Sequence, residues 1–324
     1  MKLLRASGPP RLVDPLRLSA FPVALAGGLT PLMAVLASCI GPANAQTSPV
    51  PPSITRPTPR AVAPPPLPAP PTITLEAEQG HQGDLLRGTI SPAGAVLTLN
   101  GVAIATASDG RFIIGFDRDA TGEAVLRLAP RNAVAIERRI TIAPRQWSIQ
   151  HINTPSRGGA SSDADFERRR PGELAQMGAA RRTVVTSDGW RQRFIWPIQG
   201  RISGVFGSQR VYQGVPGNYH NGVDVAAPSG TAYVAPADGV VILAATTPFT
   251  LEGYLLMIDH GMGLSSVFLH SSRLDVRTGD AVRQGQRLGA VGATGRATGP
   301  HMHWAMRWNG QKIDAAQVAG PMVR

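Results

Sequence analysis

Cysteine and lysine are almost absent from this chain of 324 residues. A single cysteine, Cys39, excludes an internal disulfide, so the fold must be stabilised by its core or by a bound metal. The only lysines are Lys2 and Lys312, and arginine supplies nearly all the cations behind a net charge of +11. This charge suits an anionic partner such as a membrane surface or an acidic wall polymer, or it reflects a general preference for arginine in the genome. Because aromatic residues do not alternate with the cations and no recognition motif is present, we expect no nucleic-acid partner.

The first 45 residues have the features of an export signal. Four basic residues precede a largely apolar stretch at 18–40, and Ala-Asn-Ala at 43–45 forms a small-x-small cleavage site. An alternative is that Leu-Ala-Ser-Cys at 36–39 is a lipobox, in which case Cys39 would carry a lipid that anchors the protein to a membrane. Both interpretations place the mature protein in the cell envelope, either in the periplasm or as a membrane-anchored lipoprotein.

Composition divides the rest of the chain into four parts. Residues 46–71 are rich in proline and predict an extended linker. Residues 72–144 contain short alternating runs between turn signals, and they predict a small β-sandwich that resembles immunoglobulin-like modules. Residues 145–193 predict a bridge with a short helix, which Pro171 would break into two pieces. Residues 194–324 predict a mostly antiparallel β domain, so the fold class of the whole chain is mostly β.

Four of the seven histidines form a pattern with a carboxylate in the C-terminal domain. A catalytic zinc site uses three nitrogen or oxygen ligands and leaves one position open for water. His220 and Asp224, four residues apart, can supply two ligands. His301 and His303 are two apart on a predicted strand, so their rings emerge on one face, and one of them can complete the site. His270 could reach the same place from a neighbouring strand. Three metal ligands beside two further imidazoles predict metal-assisted hydrolysis.

The same motifs resemble the signature of the lysostaphin/LytM-like zinc metalloendopeptidases. Further matching segments between about 194 and 310 include Gly-Val-Phe-Gly at 204–207 and Thr-Gly-Pro-His at 298–301. The resemblance implies a two-layer antiparallel β domain with a groove that holds zinc. It implies that the ligands are His220, Asp224 and His303. It also implies that His270 and His301 are the catalytic histidines.

The resemblance implies a substrate as well. We expect an exported zinc metalloendopeptidase that hydrolyses the peptide stems or cross-links of bacterial peptidoglycan through a zinc-activated water. The alternative is a non-enzymatic activator of other wall hydrolases, as in family members that have lost ligands. Two positions depart from the common pattern, since Tyr219 stands where proline is frequent and Met302 where leucine is usual, but neither removes a functional group. His260 has no family role, and we expect it in a turn or in a contact beside the site.

Overall fold

Short β-strands dominate the structure, which confirms the predicted fold class. The computed structural model describes residues 69–154 and 164–322. The predicted cleavage site, Cys39 and most of the predicted linker lie outside the described residues. Within the described ranges, no helix is both long enough and apolar enough to cross a membrane.

The N-terminal part is a β module of two sheets. Its strands are β1 (Thr72–Leu75), β2 (Gly80–His81), β3 (Leu85–Ser91), β4 (Val96–Leu99), β5 (Val102–Ile104), β6 (Arg111–Gly115), β7 (Glu123–Ala129) and β8 (Ile136–Ala143). One sheet has the order β1-β3-β6 and the other has the order β2-β8-β7-β4-β5. Both sheets contribute to a single core, with Phe112 and Ile114 from the first and Leu126 and Ile140 from the second. The detailed likeness to immunoglobulin-like modules stays a prediction.

The remaining elements form the C-terminal part and the segment that leads into it. They are β9 (Ile149–Ile152), α1 (Ala164–Arg182), a 3₁₀ helix (Gly189–Arg191), β10 (Arg201–Gly204), β11 (Gln209–Tyr212), β12 (Val215–Pro216), β13 (Val223–Ala226), β14 (Ala232–Val234), β15 (Gly239–Ala244), β16 (Tyr254–Gly261), β17 (Leu264–Ser271), β18 (Arg273–Leu274), β19 (Ala281–Val282), β20 (Arg287–Ala290), β21 (His301–Trp308), β22 (Gln311–Ile313) and α2 (Ala315–Ala319).

A central antiparallel sheet organises these elements. Its order is β10-β13-β21-β17-β16-β15-β19, and β22 pairs with β21. A smaller sheet, β14-β20-β18, lies against it. Tyr233 of the smaller sheet stacks on Phe268 at 5.3 Å between ring centroids, and Phe268 is parallel to Trp304 at 6.5 Å. All three rings are almost completely buried. The Tyr233–Phe268 stack joins the two layers, while Phe268 and Trp304 are paired on neighbouring strands of the central sheet.

The segment before the C-terminal domain contributes a strand that the sequence analysis missed. Strand β9 pairs in parallel with β11, and β12 completes this third sheet. Its four residues are mostly exposed. They therefore lack the alternation of buried and exposed positions on which strand prediction depends.

Helix α1 continues through Pro171, so the predicted break into two pieces is wrong. Proline removes one backbone hydrogen bond and costs about 3 kcal/mol in a helix interior. Contacts outside the helix offset that cost. Met177 is buried against the central sheet, and the carboxylate of Glu173 accepts hydrogen bonds from the backbone N–H and the hydroxyl of Thr250 at 2.8 and 2.6 Å.

Candidate metal centre

Three neighbouring strands of the central sheet bring the candidate residues together. Asp224 on β13 is directly opposite His303 on β21. On the other side of β21, His303 is opposite Leu269 of β17, so His270 follows at the next position. His220 lies in the loop between β12 and β13. The topology therefore gathers residues that are up to 83 positions apart in the chain.

The side chains of His220, Asp224 and His303 form a compact triangle of donor atoms. Nε2 of His220 lies 3.1 Å from Oδ1 of Asp224 and 3.0 Å from Nδ1 of His303. Nδ1 of His303 lies 2.8 Å from the same Oδ1. Glycine is required beside this triangle, since a Cβ at Gly204 would come within 2.4 Å of the Asp224 carboxylate and one at Gly222 within 2.8 Å of the His303 ring.

Hydrogen bonds at the back of the triangle fix the orientation of His220. Its Nδ1 donates to the carbonyl oxygen of Val205 at 3.1 Å, which leaves Nε2 to face the other two side chains. For His303, Nδ1 faces the triangle, and among the described residues none forms a hydrogen bond with its buried Nε2. Both imidazoles thus direct one nitrogen towards the same carboxylate oxygen.

The triangle stabilises the ionised form of Asp224. Burial alone would raise the pKa of this carboxyl, but hydrogen bonds from His220 and His303 outweigh burial and hold its pKa well below the usual range. Burial lowers the pKa of His303, which favours the neutral imidazole. For His220, burial is outweighed by the hydrogen bond and the charge of Asp224, and its pKa is raised. The site therefore offers one carboxylate to two imidazoles.

These donors fit a zinc ion. Two imidazole nitrogens and one carboxylate oxygen are a donor set that zinc accepts in catalytic sites. Ligands at about 2.0–2.1 Å in a tetrahedron are ~3.3 Å from one another. The three separations of 2.8–3.1 Å are close to that value. Within the described part of the chain, this is the one group of histidine, cysteine, aspartate and glutamate side chains close enough to hold a metal.

Two more histidines flank the triangle and do not belong to it. The ring centroids of His270 and His301 are 5.0 Å apart, and Nε2 of His301 lies 3.8 Å from Oδ1 of Asp224. Nδ1 of His301 donates to the carbonyl of Gly299 at 2.8 Å. Nδ1 of His270 donates to the carbonyl of Thr294, also at 2.8 Å. Because a carbonyl can only accept, Nδ1 carries the proton in the neutral form of each ring, and in that form Nε2 keeps a lone pair.

His270 occupies a strained backbone conformation. Its φ is +63°, a value that non-glycine residues seldom adopt. Its N–H donates to the carbonyl of Glu252 at 2.8 Å, and its own carbonyl lies so close to Gly292 that a Cβ there would come within 2.6 Å. Strain of this kind persists where the surrounding structure imposes it, and it is concentrated at functional sites.

Thr294 is a residue of this site that the sequence analysis missed. Its carbonyl orients the ring of His270, while its hydroxyl donates to the carbonyl of Ser271 at 2.7 Å and accepts from the N–H of Tyr254 at 3.0 Å. Burial lowers the pKa of His270, so the ring is neutral near pH 7 and its proton remains on the bond to Thr294. A threonine between an alanine and a glycine has no distinctive spacing, and only the folded chain reveals this contact.

The other histidines lie outside this centre. His260 is completely buried on β16, so the expected turn position is wrong. Its Nδ1 donates to the carbonyl of Asp238 at 2.7 Å, and its Nε2 accepts from the hydroxyl of Ser266 at 2.8 Å. His81 pairs with Asp84 in the β module, and the exposed His151 lies on β9.

Comparison with known proteins places this domain in a family. Residues 218–315, which include all five histidine and aspartate positions above, match the sequence model of Peptidase family M23. The peptidoglycan DD-endopeptidase ShyA of Vibrio cholerae is 36% identical over 135 residues, which are 40% of this chain and 30% of that protein. The DD-carboxypeptidase/endopeptidase Mpg of Neisseria meningitidis is 42% identical over 104 residues, or 32% of this chain and 23% of that protein.

The fold agrees with this match beyond the peptidase domain. A solved structure of a peptidase M23 from Pseudomonas aeruginosa is 28% identical and has a TM-score of 0.57. The alignment covers 75% of this chain and 96% of that one. The family match and the sheet thus define a peptidase domain with a candidate metal site. Residues 218–315 form a peptidase M23 domain, which confirms the resemblance to lysostaphin/LytM-like enzymes. The matched segment is about a third or less of the length of the curated relatives.

Proposed function

We propose that this protein is a zinc endopeptidase that hydrolyses peptide bonds in bacterial peptidoglycan. One observation carries the proposal. Three donor atoms within 3.1 Å of one another lie beside two histidines whose Nε2 atoms form no hydrogen bond with any other described residue. The names of two relatives, a peptidoglycan DD-endopeptidase and a DD-carboxypeptidase/endopeptidase, support the substrate class.

His220, Asp224 and His303 would hold the metal through Nε2, a carboxylate oxygen and Nδ1. When bound there, zinc supplies a Lewis acid that activates water and polarises a carbonyl. The ionised Asp224 contributes the negative charge of the site, and the low pKa of its carboxyl keeps that charge over the whole physiological pH range. Gly204 and Gly222 keep the space around the ligands free of side chains.

His270 and His301 would move the protons. Nε2 of one ring accepts a proton from the attacking water and later donates that same proton to the leaving amine. Nε2 of the other ring can stabilise the developing oxyanion once it has taken a proton from solvent. The hydrogen bonds to Thr294 and Gly299 hold the proton on Nδ1, so each Nε2 begins the reaction as an acceptor. The carboxylate of Asp224 lies 3.8 Å from Nε2 of His301, so this nitrogen faces the proposed metal ligands.

The proposed location is the cell envelope. The predicted export signal at 1–45 and the predicted linker at 46–71 support this location. The net charge of +11 favours attraction to an anionic wall, which salt would weaken. Processing would end either at the cleavage site at 43–45 or at a lipid-bearing Cys39.

Metal analysis combined with wall digestion tests the proposal. The purified protein should contain about one zinc per chain, and His220→Ala and Asp224→Ala should lose most of it. Purified peptidoglycan should release muropeptides cut in their peptide part, identified by mass spectrometry. Peptidoglycan that stays uncut although the protein holds a full complement of zinc would instead favour the non-enzymatic activator.

A further inference from the structure

Two adjacent residues of the β module, Asp117 and Arg118, contact the segments that carry the first proposed ligand. They follow β6, which packs on the C-terminal domain through Gly115 against Trp308 and Ile313. We propose that Asp117 and Arg118 position His220 for metal binding, so that the β module is a structural part of the metal site. This inference rests on the proposed function.

Asp117 fixes the residue immediately before His220. Its Oδ1 accepts a hydrogen bond from the hydroxyl of Tyr219 at 2.6 Å, and its Oδ2 accepts one from the backbone N–H of Lys312 at 3.0 Å. The ammonium of Lys312 donates to the same tyrosine oxygen at 3.0 Å. Tyr219 is thus held by both the module and β22. A proline, which is frequent at this position in the family, could not make either contact.

Arg118 fixes the loop that orients the ring of His220. Its side chain is 8% exposed, and it donates from Nε to the carbonyl of Gly207 at 3.0 Å and from a terminal nitrogen to Oε1 of Gln209 at 3.1 Å. Gly207 in turn donates its N–H to the carbonyl of His220 at 2.8 Å. Two residues earlier in this loop, Val205 accepts the hydrogen bond from Nδ1 of His220.

Aromatic packing connects the contact at Tyr219 with the contact at the loop around Gly207. The guanidinium of Arg118 lies 4.8 Å from the ring centroid of Tyr219 and 5.3 Å from that of Trp147. Trp147 fills the space beside Gly207, where a Cβ would come within 2.1 Å of its ring. Partners that hold a ligating histidine in orientation typically contribute a factor of about 10–100 to metal affinity. Here those partners come from a separate part of the chain.

A matched interface arginine supplies the control. Arg87 of the module is also half-buried or more and donates to two backbone carbonyls of the C-terminal part, those of Trp190 and Gln192, both at 3.0 Å. These carbonyls belong to the 3₁₀ helix and its cap, not to the loop beside His220. Loss of Arg87 should therefore weaken the interface and leave the ligand orientation intact.

The experiment measures the zinc dissociation constant of the full chain by competition with a chromophoric chelator. We expect Arg118→Met and Tyr219→Phe each to bind zinc about tenfold more weakly than the wild type. Arg87→Met should stay within about twofold of the wild type. Denaturant unfolding of the metal-free proteins shows that each variant is folded. Tyr219→Phe removes only one hydroxyl, so it tests the proposal even if Arg118→Met does not fold.

Unchanged zinc affinity in Tyr219→Phe, or equal weakening in Arg118→Met and Arg87→Met, would overturn the positioning role. A wild-type chain that binds no zinc would refute both this inference and the proposed function. Zinc binding without cleavage of wall peptides would refute the proposed function alone. The comparison of affinities would then still decide whether the module positions His220.

Discussion

Acidification should destabilise the protein through His260. This ring is completely buried, and burial lowers its pKa from 6.5 to about 4. In the folded chain its Nδ1 donates to Asp238, and its Nε2 accepts from Ser266. The hydroxyl of Ser266 also accepts a hydrogen bond from Nε1 of Trp304 at 3.1 Å. The network thus specifies a neutral imidazole with its proton on Nδ1.

The sign of the effect follows from the two pKa values. Because the folded-state pKa of His260 lies below the unfolded value, the unfolded chain binds more protons between pH 6.5 and 4. Stability is therefore fully present above pH 6.5 and is lost as the pH falls through this window. With pKa values of about 4 and 6.5, the loss between pH 7.5 and pH 5 is about 2 kcal/mol.

Urea unfolding measures this loss of stability. Wild type and His260→Asn are compared at pH 7.5 and pH 5, with zinc removed by a chelator. Asparagine can still donate to Asp238 but does not titrate. The variant should be less stable at pH 7.5, because it leaves a gap beside Phe194, whose ring centroid is 5.0 Å from the imidazole. That difference should shrink by about 2 kcal/mol at pH 5. If the stability difference between wild type and variant is the same at both pH values, the assignment of a neutral His260 with a lowered pKa is refuted.

Three further predictions concern the site and the export segment. Thr294→Val should lower turnover by about tenfold or more, because it leaves the backbone N–H of Tyr254 unpaired close to His270, the ring that Thr294 orients. Thr294→Ser should retain activity, and equal rates in both variants would contradict this role. Gly204→Ala should weaken zinc binding, since its Cβ would displace the carboxylate of Asp224, whereas Gly172→Ala in open space on α1 should bind zinc normally; isothermal titration of both variants checks this. Cys39→Ser should leave the membrane fraction if the lipobox is used, and an unchanged mature mass supports cleavage at 43–45 instead.

Much of the fold could be predicted because its strands are local and apolar. The runs at 240–243, 254–258 and 266–269 lie within β15, β16 and β17. Helix α1 was harder, because its continuity through Pro171 depends on Glu173 and other contacts with the sheet. Propensity alone cannot include those tertiary contacts.

The candidate site could likewise be predicted only in part from the sequence. Spacing alone nominated the five polar residues, since His-x-His on a strand puts both rings on one face. Spacing could not choose between His301 and His303 as the third ligand, because the choice depends on the register that places Asp224 opposite His303. It also could not find Thr294 or Arg118, which act through contacts between distant segments.

The central claim is that metal binding and proton transfer are carried by different histidines. His270→Ala and His301→Ala should keep zinc at the wild-type stoichiometry, because His220, Asp224 and His303 remain. Both variants should lose turnover on peptidoglycan by about a hundredfold or more, since general acid–base catalysis contributes roughly 10²–10⁴. The measurement is the rate of muropeptide release per bound zinc in each variant. Zinc retained with activity lost is the predicted result, and full activity in both variants would contradict the account.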